Sequence, residues 1–214
     1  VHWTTAISFT LLAVSGLVML FGQMVILPVI GHPLFAWLTI LCKNVHHFVG
    51  PVFSIAVVLL FFTFLKDNFP SLKDAVWFAK GGGLFTGSHV PSGRFNAMEK
   101  VWFWGFVAVL SVVMTWSGLI LLFPNFDQTR AAMQEAWIWH ACAAILYISI
   151  SFGHMYLGTI GLEGSYQAMR TGYVDETWAR EHHQYWYEEM KATARQPAGG
   201  GAVPAGAPHA EEKL

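Results

Sequence analysis

Four apolar stretches, residues 6–27, 48–65, 101–123 and 137–162, run without a single Lys, Arg, Asp or Glu. Each is long enough to cross the roughly 30 Å of hydrocarbon in a bilayer. Hydrocarbon supplies no water to satisfy backbone amides, so each stretch must close its own hydrogen bonds and be helical, whatever its content of β-branched and aromatic residues. The fold class that follows is an all-α integral membrane protein, a four-transmembrane-helix bundle. Composition decides one further point: 12% of the residues are charged, against about one quarter in an ordinary soluble domain.

The net charge of −1 leaves no basic stripe to neutralise phosphates, so a nucleic-acid partner is excluded. Cys42 and Cys142 lack the paired spacing of a zinc or iron–sulfur site and are read as packing residues. The chain opens at Val1 and runs at once into apolar sequence, so a native segment is expected to precede it.

Basic residues set the expected orientation. The loop after the second stretch carries Lys66, Lys73, Lys80, Arg94 and Lys100, and the segment after the fourth carries Arg170, Arg180, Lys191, Arg195 and Lys213. The opposite side carries only Lys43 and Arg130. The positive-inside rule therefore places the middle loop, the tail and the N-terminal end in the cytoplasm. Domain organisation reads as a transmembrane domain over 1–164, a cytoplasmic amphipathic segment over 165–195 with a surface helix at 175–194, and a disordered cytoplasmic tail over 196–214. Residues 196–208 are rich in Pro, Ala and Gly, which bury too little apolar surface to offset the entropy of ordering. Trp3, Trp37, Trp77, Trp102, Trp104, Trp137 and Trp139 lie near span ends and read as interface anchors. Ser15-Gly16 and Ser117-Gly118 recur late in the first and third spans, where small residues admit a helix or a flat ligand at close range.

The histidines at membrane depth carry the chemistry. His140 and His154 lie on the fourth span, and fourteen residues at 100° each return them to within about 40° of one face, roughly 21 Å apart along the axis. Ionisable groups inside a membrane are costly and point to function. His2 opens the first span at the depth of His154, and His46 opens the second at the depth of His140. Two facing imidazoles fill both axial positions of a haem iron, which suits electron transfer and leaves no open site for oxygen chemistry. Zinc is disfavoured, because two nitrogens do not complete a four-ligand site. No Cys-x-x-Cys-His occurs, so the haems are expected to be b-type. His47 rivals His46. His32, His89, His182, His183 and His209 fall in loops or tail and read as solvated surface residues.

With these residues in place, the sequence resembles the cytochrome b (gamma) subunit of membrane-bound respiratory formate dehydrogenases from His2 to about Ala194. The motifs are His2-Trp3, His46-x-Phe48-x-Gly50, Asn68-x-Pro70, Phe95-Asn96-Ala97, His140-Ala141, His154-Met155-Tyr156, Trp178-Ala179, His182-His183 and Trp186-Tyr187. The resemblance selects His46 over His47. It implies two haems b, one held by His46 and His140 nearer the periplasm and one by His2 and His154 nearer the cytoplasm. It further implies a quinone substrate at a cytoplasmic-side site drawing on Asn96, Ala97, Met98 and His154. Met98 and Glu99 stand where relatives have Gly and Gln. The partners implied are an iron–sulfur (beta) subunit on the periplasmic side and a molybdenum or tungsten catalytic (alpha) subunit, with membrane lipid around the spans. The chain itself carries no residues for formate chemistry and acts as the quinone-reducing membrane subunit of an oxidoreductase. A related hydrogenase or thiosulfate reductase cytochrome b shares this plan. A histidine-based metal transporter is the reading from another class, disfavoured because the sequence shows no broken helices, repeats or buried carboxylates.

Overall fold

The computed structural model describes residues 1–83 and 89–195, and the described residues are helical or irregular, with no strand among them. The tail predicted over 196–214 lies outside them. Four helices are long and apolar enough to cross a membrane: His2–Val25, Leu27–Asn68, Ala97–Leu122 and Arg130–Gly161. All four predicted spans are therefore present among the described residues, and each helix begins before its apolar stretch does.

The largest departure from expectation is at the first connection. Pro28, Gly31 and Pro33 predict a loop there, yet α1 (His2–Val25) hands over at Ile26 to α2 (Leu27–Phe64). Pro28 sits in the first turn of α2, where its missing N–H leaves no bond unmade. Gly31 takes φ 76°, ψ 167°, a non-helical conformation open to glycine, and marks a kink between two helical segments.

The chain comprises two compact units. The first comprises Val1–Phe69 and Val101–Met155. Its core is Phe53, Val57, Leu110, Ala143 and Tyr147, with Phe9, Leu12, Phe106, Val107, Val113 and Met114 packed against them. Around this core most large apolar side chains point outward, as a hydrocarbon solvent requires and water does not permit. Gly22 lets α1 and α2 approach closely, since a Cβ there would lie 2.9 Å from the Phe35 ring. Span serines satisfy their hydroxyls on the preceding turn, as Ser8 does on the Thr4 carbonyl at 2.7 Å and Ser54 on that of Gly50 at 3.1 Å. Asn68 closes the second span: its side-chain amide donates to the Phe64 carbonyl at 2.9 Å, and its backbone carbonyl accepts the Trp104 indole N–H at 2.8 Å. Between α4 (Ala97–Trp102) and α5 (Ser111–Leu122) the third span widens to a π-helix over Phe103–Leu110. Ser111 completes that turn by donating to the Phe106 carbonyl at 2.9 Å. Cys42 is buried as expected, whereas Cys142 is exposed on α6 (Arg130–Tyr156) and faces outward instead of packing.

The second unit joins the middle loop, Pro70–Lys100, to the segment after the fourth span. α3 (Leu72–Ala79) opens on a capping box between Ser71 and Asp74. Burial works against the charge on Asp74, but hydrogen bonds from Lys100 and Ser71 prevail and hold its carboxyl below the usual range. The Lys100 ammonium meets it at 2.9 Å. Past the fourth span come α7 (Ser165–Thr171), α8 (Glu176–His182) and α9 (Gln184–Arg195). The single surface helix expected over 175–194 is thus two, broken at His183 (φ −134°, ψ 50°). The break has a cause: the loop residues Ser92 and Gly93 take over the hydrogen bonds. Ser92 donates its hydroxyl to the His182 carbonyl at 2.7 Å, the Tyr185 N–H donates to the Ser92 carbonyl at 3.0 Å, and His183 Nδ1 donates to the Gly93 carbonyl at 2.8 Å. His183 is accordingly buried, not a solvated surface residue, and desolvation holds its imidazole below the ordinary histidine range, so it stays neutral.

Candidate functional site

The four intramembrane histidines all belong to the first unit, and they come together in the two pairs that depth predicts. His46 on α2 and His140 on α6 have ring centroids 6.2 Å apart, with the rings inclined at 71°. His2 on α1 and His154 on α6 are 6.3 Å apart, inclined at 49°. The rival His47, turned about 100° from His46 around α2, is exposed.

Around the first pair the sequence has built two copies of one seat. Ser15 Oγ lies 2.9 Å from His46 Nδ1, and Ser117 Oγ lies 3.0 Å from His140 Nδ1. Each hydroxyl also donates its proton to the carbonyl one turn back, Leu11 at 2.7 Å and Val113 at 2.6 Å. Toward the imidazole the serine can then only accept, so Nδ1 carries the proton and Nε2 keeps a free lone pair. The following glycine makes room for the ring: a Cβ on Gly16 would stand 3.3 Å from His46 Cε1, and one on Gly118 would stand 3.2 Å from His140 Cε1. The recurrent Ser-Gly pairs were visible in the sequence as small residues. Their hydroxyls' partners were not, because those partners sit on other helices.

The second pair is held differently. His154 stacks on Trp102, with centroids 4.5 Å apart and planes within 11°, and His2 meets Trp3 edge-on at 5.6 Å. His2 Nδ1 is buried without a hydrogen-bond partner among the described residues. Trp102, expected to anchor the span at the membrane interface, instead packs against an imidazole. Midway between the pairs on α6 stands Tyr147, a residue singled out by no motif, with Phe9 at 5.1 Å and Phe53 and Phe106 each at 6.3 Å.

Asn96, Ala97 and Met98 open α4 in the second unit. Asn96 caps that helix: its Oδ1 accepts the Glu99 N–H at 3.0 Å, and the Glu99 carboxylate accepts the Asn96 N–H at 2.7 Å. Ala97 is 1% exposed, while Met98 is 53% exposed.

Four helices of membrane-crossing length and two facing imidazole pairs mark the chain as a helical membrane protein with paired histidines among its spans. The family described as prokaryotic cytochrome b561 matches residues 1–172, and the chain belongs to it. Among curated relatives, the nitrate-inducible formate dehydrogenase cytochrome b556(Fdn) subunit of Escherichia coli K12 is 30% identical over 91% of this chain and 89% of its own length. The formate dehydrogenase cytochrome b556(fdo) subunit of the same organism is 30% identical over 92% of each chain. The formate dehydrogenase cytochrome b556 subunit of Haemophilus influenzae is 26% identical over 88% of this chain and 78% of its own. The relatives carry the name that the motifs suggested.

Membership of a cytochrome b family implies haem b, and the residues present fit that group. An imidazole nitrogen bonds a transition metal at about 2.0 Å, and the ring centroid lies roughly 1 Å behind it, so two rings on opposite sides of one iron have centroids about 6 Å apart. Both pairs meet that spacing. Among the described residues no group of three or more His, Cys, Asp or Glu gathers as a metal site of another kind.

Proposed function

We propose that this chain is the membrane-anchor (gamma) subunit of a formate dehydrogenase complex, passing electrons from an iron–sulfur subunit through two haems b to a quinone. The observation that carries the reading is the occurrence of two imidazole pairs at 6.2 and 6.3 Å on one shared helix. The extent of similarity to relatives bearing the formate dehydrogenase name supports the donor.

Held between the paired rings, haem b would supply a one-electron carrier. His46 and His140 hold one group and His2 and His154 the other. Ser15 and Ser117 keep Nε2 of the first pair free to coordinate, and Trp102 fixes the plane of His154. The basic middle loop and tail put these segments in the cytoplasm of a bacterial inner membrane, with the iron–sulfur subunit on the periplasmic side and a molybdenum or tungsten subunit beyond it. Quinone is taken up where the third span opens, at Asn96, Ala97 and Met98. Since Asn96 Oδ1 serves the helix cap, the amide nitrogen is the group assigned to the ring, and Ala97, enclosed as it is, contributes backbone only.

The test is the purified complex. Pyridine haemochrome analysis should give two haems b per chain, with iron–sulfur and molybdenum or tungsten subunits co-purifying. Asn96→Ser, which preserves a capping oxygen but removes the amide, should lower quinone reduction severalfold while both haems remain. One haem or fewer in an intact complex overturns the dihaem reading, and unchanged quinone reduction in Asn96→Ser leaves Asn96 as a cap alone.

A further inference from the structure

We propose that Ser15 and Ser117 are positioning residues that hold His46 and His140 as Nδ1–H donors, making this the more electron-donating ligand pair and its haem the one of lower reduction potential. The inference rests on the reading above, that each pair holds a haem b.

A serine inside a span commonly does no more than bond the preceding turn, as Ser8 and Ser149 do here. Ser15 and Ser117 make that bond too, but each then presents its remaining oxygen lone pair to an imidazole on a neighbouring helix. The arrangement is duplicated in detail. Both serines are buried, at 3% and 0% exposure, and both are followed by a glycine that fits the ring edge. In both, the carbonyl three residues before the serine, Leu12 or Met114, lies within hydrogen-bond distance of the serine hydroxyl as well, at 3.2 and 3.4 Å. Two helices distant in sequence have thus arrived at one ring seat.

A hydrogen bond accepted from Nδ1–H pushes electron density onto the ring, raises the basicity of Nε2 and fixes the ring's rotation. A more basic axial ligand favours ferric over ferrous iron and so lowers the potential. His2 Nδ1, buried with no acceptor among the described residues, receives no such push. The asymmetry therefore lowers the His46/His140 site relative to the other, the order needed if electrons enter there.

Ser15→Ala, Ser117→Ala and the double variant, each purified as the complex, are titrated by optical redox potentiometry, with haem content measured alongside. In each single variant the lower of the two midpoints should rise, in the double variant it should rise further, and the higher midpoint should stay fixed. Where alanine prevents assembly, Ser→Cys, similar in size and a far weaker acceptor, should give the same rise, while Ser15→Thr, which keeps the hydroxyl, should behave as wild type. Unmoved midpoints in alanine or cysteine variants that retain both haems overturn the proposal, as does movement of the higher midpoint. A wild-type complex with a single haem defeats the dihaem reading itself, and this proposal with it.

Discussion

The His46/His140 and His2/His154 pairs have nearly the same ring separation and share α6, yet different chemistry seats them. The first is held by polar contacts: a serine hydroxyl on each Nδ1 and a glycine against each ring edge. The second is held by aromatic packing, the Trp102 indole lying flat on His154, with His2 Nδ1 left unpartnered among the described residues. A hydrogen bond specifies tautomer and ring rotation together. A stack specifies the ring plane and leaves the proton unassigned. The difference shows that one geometric requirement, facing imidazoles, can be met in a membrane by either means, and that only the polar one also tunes the ligand.

Removing a ligand is the severest way to break this comparison. His140→Ala should abolish the haem of the first pair and His154→Ala that of the second, each halving the haem content of the purified complex. Loss of both haems in either variant would mean that the sites are not independent and cannot be contrasted. A milder change should strike one pair only. Gly118→Val drives a branched side chain into the 3.2 Å gap before His140 Cε1, so occupancy of that site should fall by more than half while the Trp102-stacked site stays full. Equal loss from both sites in haem analysis would show a general packing defect instead of a ring seat.

Much of this contrast was legible in the sequence, and the illegible part has physical causes. Uncharged length alone reveals the four spans, and the fourteen-residue spacing of His140 and His154 fixes one face of the fourth. Helix ends were hidden, because Lys43, Asn44, His46 and His47 interrupt the apolar pattern without interrupting the backbone of α2. The choice between His46 and His47 depends on helix rotation, which the fold supplies. Ser15-Gly16 and Ser117-Gly118 showed their size but not their hydrogen bonds. Trp102 passed for an interface anchor because a tryptophan near a span end satisfies that role by composition. His183 passed for a surface residue because its partner, Gly93, offers only a backbone carbonyl, which no sequence motif records.

The smallest expected effect tests whether the comparison has a neutral midpoint. Tyr147 lies seven residues from both His140 and His154, two helical turns each way, so it stands on their face of α6 and belongs to neither pair. Its ring is buried in the core with Phe53 and Leu110, and its hydroxyl lies 3.2 Å from Ser111 Oγ. Ser111 donates its own proton to the Phe106 carbonyl, so the tyrosine is the donor and the serine the acceptor. Tyr147→Phe removes that bond while keeping the ring, and Ser111 retains its bond to Phe106, so no buried donor is orphaned. The cost should be near the average for hydrogen bonds between membrane helices, about 0.6 kcal/mol. Thermal unfolding of the complex should shift by no more than a degree or two, a span suited to a change this small. Both haems should remain, and both midpoints should keep their wild-type separation. A change in one midpoint alone would assign Tyr147 to that site, and the contrast would then lie between one three-residue seat and one aromatic stack instead of two separate pairs with inert packing between them.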